Sequence, residues 1–251
     1  MSGVDKSSER VRGMFGEIAR RYDLLNHVLS LGVDRSWRRR VVRLVPPADG
    51  AGPILDVCTG TGDLALAYAR AHPASRILAA DFCRPMLAIA RRKCRHPCAG
   101  PRPAGHGRGC PADSRIGLVE ADALALPFPD NTFQIVSVAF GLRNLSDPDR
   151  GLREMVRVCR PGGRVAVLEF STPRTRPLGV LYAWYFRRLL PWVGQTLAPN
   201  RKSAYNYLPA SVGLFPQAEA LVERMLRAGL ARPDYHPLTF GIATLYVGIK
   251  P

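Results

Sequence analysis

The chain has 251 residues, with 36 Lys and Arg against 20 Asp and Glu, a formal net charge of +16. That length suits one large α/β domain with chain to spare for a lid, and 47% hydrophobic content is ample for its core. No window of about eighteen uninterrupted apolar residues occurs, which excludes a spanning helix.

The N-terminus, M-S-G-V-D-K-S-S-E-R, lacks the apolar core of a signal peptide, so a cytoplasmic protein is expected. The excess of arginine fits an anionic membrane surface, a nucleic acid or an arginine-rich composition without a charged partner. Basic residues stand scattered in twos and threes with no recognisable nucleic-acid module, so no nucleic acid is expected as a partner. The six cysteines are expected as free thiols in a reducing compartment.

Residues 1–10 read as a disordered tail and 11–251 as a single domain. Residues 11–46 read as cap helices. Met14, Phe15, Ile18, Tyr22, Leu25 and Val28 recur at three or four residues, giving one amphipathic helix or a broken pair. A second helix runs from Asp34, a plausible N-cap, to Leu44 and is stopped by Pro46 and Pro47. Preceding the first strand, these helices are placed to cover the open edge of a ligand crevice.

The stretch P-I-L-D-V-C-T-G-T-G-D (Pro53 to Asp63) reads as strand, glycine turn and helix, the opening of a doubly wound sheet. Gly60 and Gly62 let the backbone approach a ligand with no Cβ in the way. A third glycine is missing, and Asp63 at the helix start would repel a pyrophosphate. A cationic or zwitterionic nucleoside suits the loop better, with S-adenosylmethionine the candidate.

Arg76 to Ala80 forms the second strand, ending in Asp81, 19 residues after Gly62. That is where a carboxylate meets both ribose hydroxyls in such folds, and the ribose role is the one expected; the alternative is a cap for the next helix, and one carboxylate could do both. Cys94 to Ser114 is rich in Pro, Gly and Arg and reads as an inserted loop. Its Cys94, Cys98, His106 and Cys110 match no common zinc spacing, so no metal is expected.

Ile116 to Val119 resumes the sheet. Asp122 could hold an exocyclic amine and the backbone of Ala123 a ring nitrogen, or Asp122 is only a solvated loop acid. Gln134 to Phe140 is a fourth strand, with Gly141-Leu142-Arg143-Asn144 just past it, where the reacting centre should lie. A helix from Pro148 to Cys159 stops at Arg160-Pro161-Gly162-Gly163, and Arg164 to Phe170 is the fifth strand. Residues 172–210 then interrupt the alternation with aromatic and basic residues, reading as a lid-like insert or an ordinary helical subdomain. A last helix over 216–228 precedes a closing antiparallel pair, 230–238 and 242–249.

Several blocks resemble, in order, the ubiquinone/menaquinone-biosynthesis C-methyltransferase family. They are M-F-G-E-I-A-R-R-Y-D-L-L-N-H-V-L-S-L-G, D-V-C-T-G-T-G-D-L, F-G-L-R-N, R-P-G-G-R-V-A-V-L-E-F-S, Y-N-Y-L-P-A-S and L-T-F-G-I-A-T-L-Y-V-G-I-K. The resemblance spans Val11 to Lys250. It implies a class I, Rossmann-like fold with a seven-stranded, mostly parallel sheet, N-terminal cap helices and a helical insert after the fifth strand.

By the same resemblance, S-adenosylmethionine meets Thr61, Asp81, Asp122 and Ala123, with Gly60 and Gly62 shaping the loop. The implied reaction methylates the ring of a demethylated menaquinol, or of a ubiquinone precursor. Arg143 and Asn144 are expected to hold the developing oxyanion, while Tyr22, with Asp23 and Asn26, completes the pocket. The polyprenylated acceptor implies reversible docking to the inner face of the cell membrane; a homodimer is left open. The rival from another class is an RNA-associated methyltransferase or binder, prompted by the charge.

Overall fold

The computed structural model describes residues 7–30, 32–48, 50, 52–95, 115–173 and 211–251. The expectations for residues 1–6, for the loop beyond Arg95 and for the insert from residue 174 to 210 lie outside them. Seven strands form one sheet in the order β3-β2-β1-β4-β5-β7-β6. They are β1 (Ile54–Val57), β2 (Ile77–Asp81), β3 (Ile116–Glu120), β4 (Phe133–Ala139), β5 (Cys159–Phe170), β6 (Ala231–Leu238) and β7 (Ala243–Ile249). The first five run parallel, and β7 pairs antiparallel with both β5 and β6. Strand order reverses between β1 and β4, and a doubly wound sheet opens its ligand crevice at that switch point.

Alternation along each strand sends side chains to two cores. Leu55, Val57, Val136 and Val138 join Leu152 and Met155 of α5 (Pro148–Val158) and Leu221 and Met225 of α6 (Glu219–Arg227). Ile54, Ile77 and Ile135 pack on the other face with Trp37 and Val41 of α2 (Asp34–Leu44) and Leu64 and Ala69 of α3 (Asp63–Ala71). Burial on both faces explains why these strands read as near-continuous apolar runs.

The N-terminal segment is one helix, α1 (Ser8–Leu29), so the amphipathic pattern is unbroken and the helix enters the expected tail. Its Arg12 donates to the Phe82 carbonyl from Nε (2.9 Å) and Nη2 (2.7 Å), beyond the tip of β2. Trp37 Nε1 of α2 donates to Thr239 Oγ1 (2.8 Å), in the turn that leads into β7. Asp34 opens α2 as its first residue, paired to Arg38, and does not serve as the cap.

The R-P-G-G run differs from expectation. It lies inside β5, where Gly162 N donates to Lys250 O (2.8 Å) and Lys250 N donates to Gly163 O (2.9 Å). A Cβ at Gly163 would sit 2.7 Å from Cys159 Sγ and 2.8 Å from the Arg160 carbonyl. The glycine is required by close backbone packing at the strand start.

Candidate active site

The C-terminal ends of β1, β2 and β4 meet α1 and α2 around a crevice with two arms. The larger, of about 490 Å³, is walled by Val11, Phe15 and Tyr22 of α1, Asp81 to Cys83, and Phe140, Gly141 and Asn144 beyond β4. The smaller, of about 360 Å³, is walled by Arg38, Asp56, Thr61 and Asp63. Tyr22, Cys58, Gly60, Ala139 and Phe140 border both arms.

The backbone is bent sharply here. Cys58 (φ 52°) and Phe140 (φ 59°) both take the left-handed conformation, which costs a non-glycine residue on the order of 1–3 kcal/mol. A Cβ on Gly141 would lie 2.4 Å from Cys58 Cβ, so only glycine lets these two turns meet. Gly60 (φ 57°) has open space where a Cβ would be, leaving its backbone free to approach a ligand.

Asp81 is buried at the tip of β2. Its Oδ2 accepts from Gly60 N and its Oδ1 from Cys83 N, both at 2.8 Å. The carboxylate therefore anchors the glycine loop and the start of α4 (Arg84–Arg95) while lone pairs remain on each oxygen for a ligand. Burial pushes its pKa up, against those two N–H groups and Arg12. The pKa of Asp56, buried near the end of β1, is raised to about 6 by burial, opposed by Thr59 and Ser137. Those hydroxyls donate to its Oδ2 and Oδ1, at 2.6 and 3.1 Å.

The expected residues fall into groups. Gly60, Asp81, Tyr22 and Asn144 come together around the larger arm, and Thr61 borders the smaller. The Thr61 hydroxyl is already engaged, donating to Asp23 Oδ1 at 2.6 Å and accepting from Lys93 Nζ at 2.9 Å. Gly62 borders neither arm; its φ of 84° turns the chain into α3, against Ala90 of α4. Asp122 and Ala123 follow β3 outside both arms, and Asp122 Oδ1 accepts from Leu124 N at 2.9 Å. Nothing is described of the Asn26 side chain.

Arg143 is turned inward and lines neither arm. Its Nη1 donates to the Phe140 carbonyl (2.5 Å) and to Glu169 Oε2 (2.7 Å), and its backbone N donates to Glu169 Oε1 (3.1 Å). Its Nε is buried without a partner. Asn144 Nδ2 donates to the same Phe140 carbonyl at 3.2 Å, which assigns the amide's orientation. Asn144 borders the larger arm, and its Oδ1 is left buried with no hydrogen bond.

A comparison with protein families places this geometry. The ubiE/COQ5 methyltransferase family matches residues 3–250. The chain belongs to that family. It is 47% identical over 238 residues to the demethylmenaquinone methyltransferase of Thermus thermophilus, covering 95% of this chain and all of that one. It is 44% identical to the ubiquinone/menaquinone biosynthesis C-methyltransferase UbiE of Geobacter sulfurreducens, across 100% of this chain and 92% of the relative. Among solved structures, a SAM-dependent methyltransferase from Thermotoga maritima shares the fold with a TM-score of 0.63 at 16% identity, covering 96% of this chain and all of that one.

S-adenosylmethionine is the cofactor of this methyltransferase. The crevice fits it: the Gly60 cradle, the Asp81 carboxylate and the apolar Phe82 and Met86 side chains line one arm.

In this ubiE/COQ5 member the residues that act across long separations leave little trace in the sequence. Glu169 is the clearest, an acid inside the apolar run V-A-V-L-E-F whose oddity was its only signal. Lys93 is another: its Nζ reaches Asp23 Oδ2 and Asp63 Oδ1, both at 2.6 Å, tying α1 and α3 to α4. Among the described residues no group of acids, histidines and cysteines could hold a metal, and Cys94 is buried at the end of α4.

Proposed function

We propose that the chain transfers a methyl group from S-adenosylmethionine to a ring carbon of a demethylated menaquinol. When bound, the cofactor supplies an electrophilic sulfonium methyl. Gly60 cradles it, Asp81 takes the ribose hydroxyls, and Asp122 with Ala123 takes the adenine from beyond β3. The observation that carries the reading is that Asn144, which borders the same arm as Asp81, has its Oδ1 buried without a partner.

An amide oxygen accepts; it does not donate. Asn144 therefore suits the ring hydroxyl of an electron-rich quinol better than the finished oxyanion, and it holds the ring carbon toward the methyl. Such an oriented pair gains much of its rate from position alone. Arg143 acts from behind, its charge paired with Glu169 while its Nη1 and the Asn144 amide share the Phe140 carbonyl. Val11, Phe15 and Tyr22 shield the arm from water. The Thermus relative is named for demethylmenaquinone, which favours a naphthoquinol acceptor. A methyl-transfer assay offering demethylated naphthoquinol and benzoquinol side by side tests this. Turnover of the naphthoquinol should dominate, and turnover of neither would overturn the reading.

A polyprenyl tail belongs in the bilayer, and no described helix is long and apolar enough to cross one. The enzyme docks reversibly at the inner face of the cell membrane, drawn by its +16 charge. The basic and aromatic insert holding Arg187 and Arg188 is the docking segment. Sedimentation with anionic vesicles should fall with salt, and on Arg187→Glu with Arg188→Glu. Unchanged sedimentation of that double variant would remove the insert from the interface.

A further inference from the structure

The edge of the sheet from which the crevice opens also carries an apolar turn that the reaction, as described, does not use. Ala243 at the start of β7 pairs with Phe170 at the end of β5, so the turn Thr239–Gly241 lies at that edge. Phe240 is 75% exposed and Leu214 65%, the two most exposed large apolar residues among the described ones. Both stand at the stem of residues 174–210. A Cβ on Gly241, next to Phe240, would meet Pro173 Cα at 3.6 Å. Leu214 follows closely on residue 210. Its segment is tied back to β5 through Gln217, which accepts from Thr172 N (2.9 Å) and donates to the Val212 carbonyl (3.0 Å).

The turn is pinned. Thr239 (φ 45°), Phe240 (φ 56°) and Gly241 (φ 86°) take the left-handed conformation in succession, strained for the two residues that carry a Cβ. Three hydrogen bonds hold it: Trp37 Nε1 to Thr239 Oγ1 (2.8 Å), Ser171 Oγ to the Gly241 carbonyl (2.7 Å) and Ile242 N to the Thr239 carbonyl (3.1 Å). The first of these brings α2 alongside. That helix exposes Arg35, Arg39, Arg40 and Arg43, with Arg35, Arg39 and Arg43 at four-residue steps along one face. Unlike Arg38, which is paired to Asp34, none of the four meets an acid among the described residues. An apolar tip beside an uncompensated basic face matches an anionic bilayer, the ring among acyl chains and the arginines at the headgroups.

We infer that the Thr239–Gly241 turn and the exposed face of α2 form a docking surface for anionic lipid, with Phe240 as its inserting residue. The inference rests on the enzyme docking at a bilayer, and it extends that docking from the insert to residues outside it. It also sets the crevice against the lipid. Trp37, bonded to the turn, packs its ring 5.9 Å from that of Phe140, which borders both arms. An acceptor whose tail stays in the bilayer then needs only its ring to enter.

Sedimentation of the full chain with phosphatidylglycerol–phosphatidylcholine vesicles, against phosphatidylcholine alone, tests it. Arg39→Gln with Arg40→Gln should weaken binding to the anionic vesicles by roughly 10- to 30-fold at low salt, about fivefold for each arginine. Phe240→Asn, a residue that tolerates the left-handed turn, should weaken it roughly three- to tenfold at low and high salt alike. Both variants should bind S-adenosylhomocysteine as wild type does, which separates docking from folding. Phe240→Trp should bind vesicles as wild type does, and lipids brominated on the acyl chain should quench more of its fluorescence than of wild type's. Undiminished vesicle binding by both loss variants, or no added quenching, would overturn the inference. If Arg187→Glu with Arg188→Glu still releases the protein in that case, docking through the insert survives. Wild type that ignores anionic vesicles would defeat the docking reading itself, and this surface with it. A dimer that Phe240→Asn dissolves, with vesicle binding unchanged, would give the turn to a second copy and overturn the inference too.

Discussion

The two walls of the crevice are finished to different degrees. On the β1–β2 side the buried acids are partnered before any ligand arrives: Asp81 by Gly60 and Cys83, Asp56 by Thr59 and Ser137. Beyond β4, the turn Leu142–Asn144 buries two polar atoms with no partner, Arg143 Nε and Asn144 Oδ1. Buried polar atoms left unbonded cost on the order of 1–3 kcal/mol each. The difference teaches a division of labour. On the function proposed above, the β1–β2 wall holds the cofactor in one shape, and the wall beyond β4 keeps a hydrogen bond in reserve for the acceptor.

The largest effect should come from undoing what holds the unfinished wall. Glu169→Ala would strand the buried Arg143 charge, and breaking such a pair costs about 3–5 kcal/mol. Urea denaturation should show that loss, and a loss under about 1 kcal/mol would mean the turn is held by something else.

A second test falls on the finished wall. Burial raises the Asp56 carboxyl to about 6, opposed by the Thr59 and Ser137 hydroxyls, whereas an unfolded aspartate sits near 3.9. The folded state keeps this proton longer, so its stabilising share is complete below about pH 4 and is lost as pH rises through 6. Stability should therefore drop between pH 4 and 7 by on the order of 2–3 kcal/mol more in wild type than in Asp56→Asn. Parallel profiles for the two proteins would show Asp56 ionising normally. A smaller loss, about 1.5–3 kcal/mol of cofactor affinity by calorimetry, is expected for Asp81→Ala. Unchanged affinity would take Asp81 out of the site.

The finished wall was also the legible one. Strand, glycine turn and the 19-residue step to Asp81 are local and periodic, so spacing alone marked Gly60 and Asp81. The central strands β1, β2 and β4 followed from apolar runs, because strands buried on both faces write themselves as such runs. Arg143 and Asn144 were located but not oriented. Which way a side chain turns depended on Glu169, 26 residues along the chain. Arg38 and Asp63 likewise meet only because α2 and α3 pack against the same face of the sheet, and no spacing rule reaches that far.

The division between the walls is tested most directly by Asn144→Leu, which removes the reserved acceptor atom while keeping the side chain's bulk. Two quantities are measured on the one variant: affinity for S-adenosylhomocysteine by calorimetry and turnover of the demethylated naphthoquinol. The expected result is affinity within about twofold of wild type and turnover lower by roughly 10- to 100-fold, the worth of one buried hydrogen bond to the reacting ring. Turnover equal to wild type, or a loss of cofactor affinity in step with turnover, would contradict it.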